Sequence, residues 1–163
     1  MKYFLDTEFI EKPNTIELIS IGIICEDNRS YYSISSEYNP DNANEWVKEN
    51  VLSKIAGHPT KSSKEIKSDL SKFITTFGIG DNIEFYGYYS DYDWVVFCWI
   101  FGTMMQLPIG FPMYCKDLKQ MLDERNLSDE WLIKNCPPPE DEHNALVDAQ
   151  WNQNLYKKIQ QTI

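Results

Sequence analysis

Long apolar runs are missing from this 163-residue sequence. No stretch approaches the ~18 consecutive apolar residues of a membrane-spanning helix, so no membrane is expected as a partner. The opening Met1-Lys2-Tyr3-Phe4-Leu5-Asp6 meets a charge before the apolar region of a signal peptide could form. Cysteine is sparse: Cys25, Cys98, Cys115 and Cys136 lie far apart with no C-x-x-C pair. That spacing argues against a zinc site or a disulfide framework and for reduced, mostly buried thiols in a cytoplasmic protein. Bases are also scarce. Fifteen Lys and Arg face 25 Asp and Glu, for a net charge of −10. Phosphate contacts need Lys and Arg, so this balance excludes general nucleic-acid affinity. An acidic chain escapes the exclusion when its carboxylates hold divalent cations. There is no internal repeat. The one proline run, Pro137-Pro138-Pro139, sits in an acidic loop near the end rather than in a linker. One domain spanning residues 1–163 is expected.

What is present is the material of a core: 42% hydrophobic residues and 14% aromatics. A domain near this size buries roughly 68–70% of its unfolded surface and needs no staples. Tyr3–Phe9 reads as a strand. Ile16–Cys25, β-branched and mostly apolar, reads as a central one. Glu11-Lys12-Pro13-Asn14 and Asp27-Asn28-Arg29 are turn chemistry, and Ser30–Ser36 completes an antiparallel meander. Asn44–Ile55 reads as a short helix ending near Gly57. Ser62–Phe77 follows, with Ser62 and Glu65 as a capping box and Gly78 as the stop. Its apolar face carries Ile66, Leu70, Phe73, Ile74 and Phe77. Ile83–Tyr88, bounded by Gly80-Asp81-Asn82, is a further strand. Asp91–Met105 is a helix apolar nearly all round and therefore expected to be buried. Met113–Cys115 is a short strand, Lys116–Arg125 a helix, and Asn144–Gln160 the last helix. The order implies an α/β fold: a mixed five-stranded sheet, three antiparallel strands plus crossover strands, with helices on both faces.

The chemistry-bearing residues are carboxylates. Asp6 and Glu8 are two apart on the first strand, so both point to one face. Such a pair is costly inside a sheet unless hydrated, paired or bound to metal. Asp91 and Asp93 open the apolar helix. Asp91 suits a helix-capping role, whereas Asp93 falls on the stripe of Phe97, Ile100 and Met104 and needs a partner. With Asn144 as cap of the last helix, Asp148 lies one turn in and aligns with Trp151, Leu155 and Ile159 on the inward face. Asp6, Glu8, Asp93 and Asp148 would thus converge at the carboxyl end of one central strand. Without cations such a cluster repels itself and raises its own pKa values. Two divalent cations would relieve this and serve an in-line phosphoryl displacement. All-oxygen ligands point to Mg²⁺ or Mn²⁺. His143, just outside the helix, is the nearby group suited to take a proton from water near neutral pH.

These residues carry a family resemblance. Phe4-Leu5-Asp6-Thr7-Glu8-Phe9 resembles the first motif of DEDD-type 3′–5′ exonucleases. Tyr88-Tyr89-Ser90-Asp91-Tyr92-Asp93 resembles the second, an alignment that selects Asp93 over Asp91. His143-Asn144-Ala145-Leu146-Val147-Asp148-Ala149 resembles the third motif of the His-bearing (DEDDh) branch. The likeness extends from Asp6 to Asp148 and is closest to small stand-alone exoribonucleases of mycobacteria. It implies a ribonuclease H-like fold, two Mg²⁺ or Mn²⁺ ions per site and release of nucleoside 5′-monophosphates from a single-stranded or overhanging RNA 3′ end. It also implies a homodimer. On this reading the backbone and side chain of Thr7 and Phe9 would meet the terminal nucleotide, Phe9 by apolar contact with its sugar or base. One departure is that Asp91 stands where many members carry Asn, which leaves open which of the two Asp residues ligates.

Three other readings are weighed against this one. A DNA proofreading-type exonuclease would use the same residues, since the 2′-OH decides between RNA and DNA and no residue visibly reads it. A non-cleaving module that binds nucleotides or RNA ends would not need the complete set of acids and a base. A structural Ca²⁺-binding domain leaves the His143–Asp148 spacing without a purpose. Lys61, Lys64, Lys67 and Lys72 form a solvated helix face or a track for RNA phosphates; Lys116, Lys119 and Arg125 are further phosphate candidates. Trp46, Tyr86, Tyr89 and Trp94 are candidates for base stacking, although Tyr86 and Trp94 also fit a core.

Overall fold

The computed structural model of the chain describes residues 1–75 and 82–162. Strand β1 (Lys2–Lys12) runs antiparallel to β2 (Thr15–Cys25), which runs antiparallel to β3 (Ser30–Ser35). The expected meander is there, with β1 extended through Glu11 and Lys12. Asn14 and Asn28 make the two tight turns at φ 64° and 70°, a region Asn tolerates. A helical stretch follows in three pieces: α1 (Glu45–Val47), a π-helical segment (Lys48–Leu52) and α2 (Ser53–Ile55). The Asn44 side chain caps its start by accepting from the Val47 N–H.

Two-residue β4 (Thr60–Lys61) then pairs parallel to β3, and α3 (Ser63–Thr75) begins. The capping box holds: the Ser62 N–H and hydroxyl both donate to Glu65 Oε2. Phe77, Gly78, Gly80 and Asp81, which figured in the expected ends of this helix and the next strand, lie outside the described residues. The later elements are β5 (Glu84–Gly87), α4 (Asp91–Phe101), β6 (Lys116–Asp117), α5 (Leu118–Glu124), α6 (Asp129–Asn135) and α7 (Ala145–Gln160). Among the described residues the sheet has six strands in the order β4-β3-β2-β1-β5-β6, one more than expected.

Several expected boundaries move for local reasons. Helix α4 stops at Phe101 rather than Met105, because Gly102 takes a φ of 117°. The strand expected at Met113–Cys115 falls instead at Lys116–Asp117, where it pairs with Tyr86 and Gly87. Helix α6 had no counterpart in the sequence reading. Its Ser128 cap, which accepts from the Trp131 N–H, was the available signal. Helix α4 is not buried all round: Tyr92, Val95 and Trp99 form an exposed flank.

The strand alternation of β1 divides the core. Tyr3 and Leu5 pack with α3 and α4 through Ile66, Leu70, Phe97 and Phe101. Phe4 packs on the opposite face with α5 and α7 through Leu118, Leu122, Leu155 and Ile159. Further along, Ile10 joins Ile19 and Val51, so the helical stretch 45–55 covers the far end of β1. Helices therefore lie on both faces, as expected of this α/β order. No helix among the described residues is long and apolar enough to cross a membrane.

Candidate functional site

Strand β1 leaves its parallel neighbour early. Pairing with β5 covers Lys2, Tyr3 and Phe4 and goes no further. The backbone beyond needs other partners, and two helices supply them. Asn152 of α7 donates its Nδ2 to the Leu5 carbonyl at 2.9 Å. Asp93 of α4 accepts the Thr7 N–H at 2.8 Å and the Thr7 hydroxyl at 2.5 Å on one oxygen, Oδ1. Between this part of β1, the start of α7 and the loop that ends at His143 lies a cleft of about 410 Å³, which Asp93 also lines.

Asp6 and Glu8 point into this cleft from β1, as their spacing predicts. Asp148 meets them from the first turn of α7. Carboxylate oxygens of Asp6, Glu8 and Asp148 lie within 4.8 Å of one another. Gly22 makes that approach possible. It is paired with Asp6 across β1 and β2, and a Cβ there would lie 2.2 Å from the Ala145 carbonyl oxygen. The bare backbone lets the first turn of α7 sit directly on the sheet. Asn144 caps that turn by accepting from the Leu146 and Val147 N–H groups. Neither the close approach at Gly22 nor the role of Asn152 was read from the sequence.

Asp93 lines the same cleft but enters differently from expectation. It comes from the α4 face of the sheet, tied to Thr7, while the triad occupies the α7 face. Thr7, expected to meet the terminal nucleotide, donates both its N–H and its hydroxyl to Asp93. Asp91 does not cap α4. Ser90 holds the cap position without a side-chain bond, and Asp91 is exposed at the first helical residue. Ser90 donates its N–H to Asp117, whose other oxygen caps α5.

Burial and mutual repulsion act on the acids as the clustering predicts. Asp6 is raised well above the usual carboxylate range by burial, then by Asp93, Glu8 and Asp148. Burial followed by Asp148 and Asp93 pushes Glu8 up to about 8, against the pull of Lys54. Asp93 rises to about 6 through burial, opposed by its bonds from Thr7. Asp148 rises to about 6 through burial, opposed by the His143 N–H.

His143 stands at the cleft wall with a φ of 65°, and its N–H donates to Asp148 Oδ2 at 2.8 Å. The loop before it is tied down at several points. The Trp151 indole donates to the carbonyls of Cys136 and Pro137. Lys54 donates to Asp141 and to the Glu142 carbonyl. Around the cleft, Phe9 pairs with Tyr92 at 5.8 Å, and Tyr88 packs on Tyr89 at 4.7 Å. Of the stacking candidates, Tyr86 and Trp94 are core residues, whereas Trp46 and Tyr89 are exposed. Among the lysines, Lys61 pairs with Asp69 and Lys116 with Glu84, so neither offers an uncommitted charge.

The arrangement can hold hard cations beside an apolar ledge and a histidine, which is the equipment of a phosphodiester hydrolase. Residues 1–160 match the profile of the Rv2179c-like family, described as the 3′-5′ exoribonuclease Rv2179c-like domain. Two curated relatives are each 39% identical over 165 residues, covering 99% of this chain and 95% of their own length. They are 3′-5′ exoribonuclease Rv2179c of Mycobacterium tuberculosis strain ATCC 25618 / H37Rv and 3′-5′ exoribonuclease MT2234.1 of strain CDC 1551 / Oshkosh. Among solved structures, cell-death related nuclease 4 (CRN-4) shares the fold with a TM-score of 0.55 at 10% identity. That likeness covers 99% of this chain and 64% of the nuclease.

Proposed function

The chain belongs to the Rv2179c-like 3′-5′ exoribonuclease family, and from that premise we propose that it hydrolyses RNA from the 3′ end and releases nucleoside 5′-monophosphates. Residues 1–163 act as one exonuclease domain of the DEDDh type. The observation that carries this reading is the triad of Asp6, Glu8 and Asp148, held within 4.8 Å in a cleft that Asp93 and His143 also line.

The residues present fit a metal centre. Every donor is a hard oxygen, which suits Mg²⁺ or Mn²⁺. The raised pKa values of the four acids are those of a site lacking compensating charge. The Oδ1 atom of Asn152, which lines the same cleft, is buried without a hydrogen-bond partner. Asp6, Glu8, Asp93 and Asp148 would hold two ions. When bound, the pair would supply Lewis acidity to an in-line displacement at phosphorus.

The chain's own groups do the rest. His143 accepts a proton from the attacking water. Its N–H on Asp148 keeps this base beside the carboxylates. Phe9, backed by Tyr92, offers the terminal sugar or base an apolar surface. Thr7 holds Asp93 in place and bears on the nucleotide through it. The substrate is a single-stranded or overhanging 3′ end. A homodimer in the cytoplasm completes the reading, and the four free cysteines accord with a reducing compartment.

The test is incubation with 3′-labelled single-stranded RNA, with and without Mg²⁺ or Mn²⁺. Mononucleotide release that requires metal is the expected result. Binding without cleavage would replace the enzyme reading with that of an RNA-end module. Faster cleavage of matched DNA would replace RNA as substrate. Size-exclusion chromatography with light scattering decides the oligomeric state.

A further inference from the structure

The helical stretch 45–55 touches the site at two points. The Trp46 ring meets the His143 ring edge-on, with centroids 4.7 Å apart and an interplanar angle of 81°. Lys54 donates to Asp141 Oδ1 at 3.0 Å and to the Glu142 carbonyl. Both residues therefore grip the last three positions of the loop that ends at His143.

Trp46 and Lys54 are eight residues apart. In a regular α-helix eight residues turn 800°, which would leave the two side chains about 80° apart around the axis. The segment Lys48–Leu52 is π-helical. Its wider i→i+5 turns rotate less per residue and bring positions eight apart back toward one face. Such π turns are rare and gather at functional sites. The same segment buries Val51 against Ile10 and Ile19. The stretch is thus seated on β1 two residues beyond Glu8.

His143 needs outside support. A φ of 65° is unfavourable for a residue with a side chain, and such a conformation persists where surrounding contacts over-determine it. Its N–H to Asp148 fixes the backbone but leaves the ring free to turn. Trp46 limits the ring, and Lys54 ties the two acidic residues just before it.

We propose that the stretch 45–55 is a brace, with Trp46 and Lys54 as positioning residues that hold the His143 ring over the carboxylate cleft. Its catalytic consequence rests on the exonuclease reading above. Its structural content does not.

The experiment compares the full chain with Lys54→Met, Lys54→Arg and Trp46→Leu. Two readouts are taken: the single-turnover rate and Michaelis constant on 3′-labelled RNA with Mg²⁺, and the His143 ring resonances by NMR. The chain holds two histidines, so His58→Asn assigns the signals. Lys54→Met is expected to lower the rate at saturating RNA roughly tenfold or more, since displacements near 1 Å cost on the order of 10²-fold. Its Michaelis constant should stay within about threefold, because ground-state binding is untouched. Lys54→Arg should restore the rate, and Trp46→Leu should shift the His143 ring protons by removing the indole ring current. A raised Michaelis constant at unchanged saturating rate would assign Lys54 to the substrate phosphates and overturn the brace. Unmoved rates and resonances in Lys54→Met and Trp46→Leu would overturn it as well. If the wild type releases no nucleotides, the exonuclease reading fails, and the His143 resonances alone decide: moved in both variants, the brace stands; unmoved, it falls.

Discussion

The backbone N–H of His143 donates to Asp148 Oδ2 at 2.8 Å, so the proposed base and a proposed ligand are coupled through one hydrogen bond. That bond crosses the start of α7, where Asn144 caps the helix between them. Moving either residue moves the other.

His143 is expected to matter for rate and not for metal affinity. General-base assistance is worth ~10²–10⁴-fold, and His143→Ala should lose about that much. His143→Asn should match it while better tolerating the φ of 65°. Mg²⁺ titration by calorimetry on both variants should give wild-type affinity. A variant that retains the wild-type rate would remove His143 from the mechanism.

Asp6→Asn and Asp148→Asn are each expected to abolish metal-dependent cleavage with the fold intact. The two acids reach one point from different elements, and each supplies charge that an amide cannot replace. Circular dichroism checks the fold and the labelled-RNA assay checks the activity. Activity within about tenfold of wild type, well short of the ~10²–10⁴-fold loss of a removed catalytic group, would speak against the assignment.

Asp93 and Asp91 should separate cleanly. Asp93→Ala loses the acceptor of two Thr7 bonds and a cleft carboxylate and should be inactive. Asp91 is exposed and makes no cap bond. Asp91→Ala should therefore cost only the dipole contribution of about 0.3–1 kcal/mol and keep most activity. The reverse pattern would show the second motif to be misaligned by two residues.

The acids should make the metal-free protein lose stability as pH rises. Glu8 is raised to about 8, and Asp93 and Asp148 to about 6. Between the ordinary carboxylate range near ~4 and these values the folded state holds protons that the unfolded chain has released. Stability from these groups is therefore present at low pH and lost as pH climbs through the folded values. Glu8→Gln should raise the melting temperature of the metal-free protein more at pH 8.5 than at pH 5.5. Mg²⁺ should stabilise the wild type more at the higher pH. Equal gains at both pH values would argue that Glu8 is not perturbed.

Gly22→Ala should damage both stability and activity. The new Cβ would fall 2.2 Å from the Ala145 carbonyl oxygen, where backbone rather than a flexible side chain must yield. Overpacking of this kind costs about 1–3 kcal/mol or more, or several degrees in melting temperature at this size. Because the start of α7 must lift, cleavage should fall further than stability alone explains. An active, fully stable variant would mean that α7 does not rest on β2 at this point.

Much of the fold was legible because its signals are local. The alternation in β1 placed Asp6 and Glu8 on one face, and the Ser62–Glu65 box and the Asn144 cap marked where helices begin. The errors share a cause. The strands at Thr60–Lys61 and Lys116–Asp117 are two residues long and carry no apolar pattern; their neighbours β3 and β5 create them. Helix α6 is seven residues long, too short for periodicity to show, although Ser128 caps it. Asp91 looked like a cap because it precedes the apolar run, whereas the backbone turns one residue earlier.

The sequence by itself singled out the groups proposed for the site: Asp6 and Glu8 by their spacing on one strand, Asp148 by its place one turn into the last helix, and Asp93 and His143 with the help of the family resemblance. What only the tertiary structure decided is how they meet. Gly22 lets α7 descend onto the sheet, Asp93 arrives from the opposite face because β1 parts from β5 after Phe4, and Thr7 turns inward to hold it. Spacing along a strand or helix is written in neighbouring residues. The distance between two elements is set by packing among residues far apart in the chain, and it has no local signature.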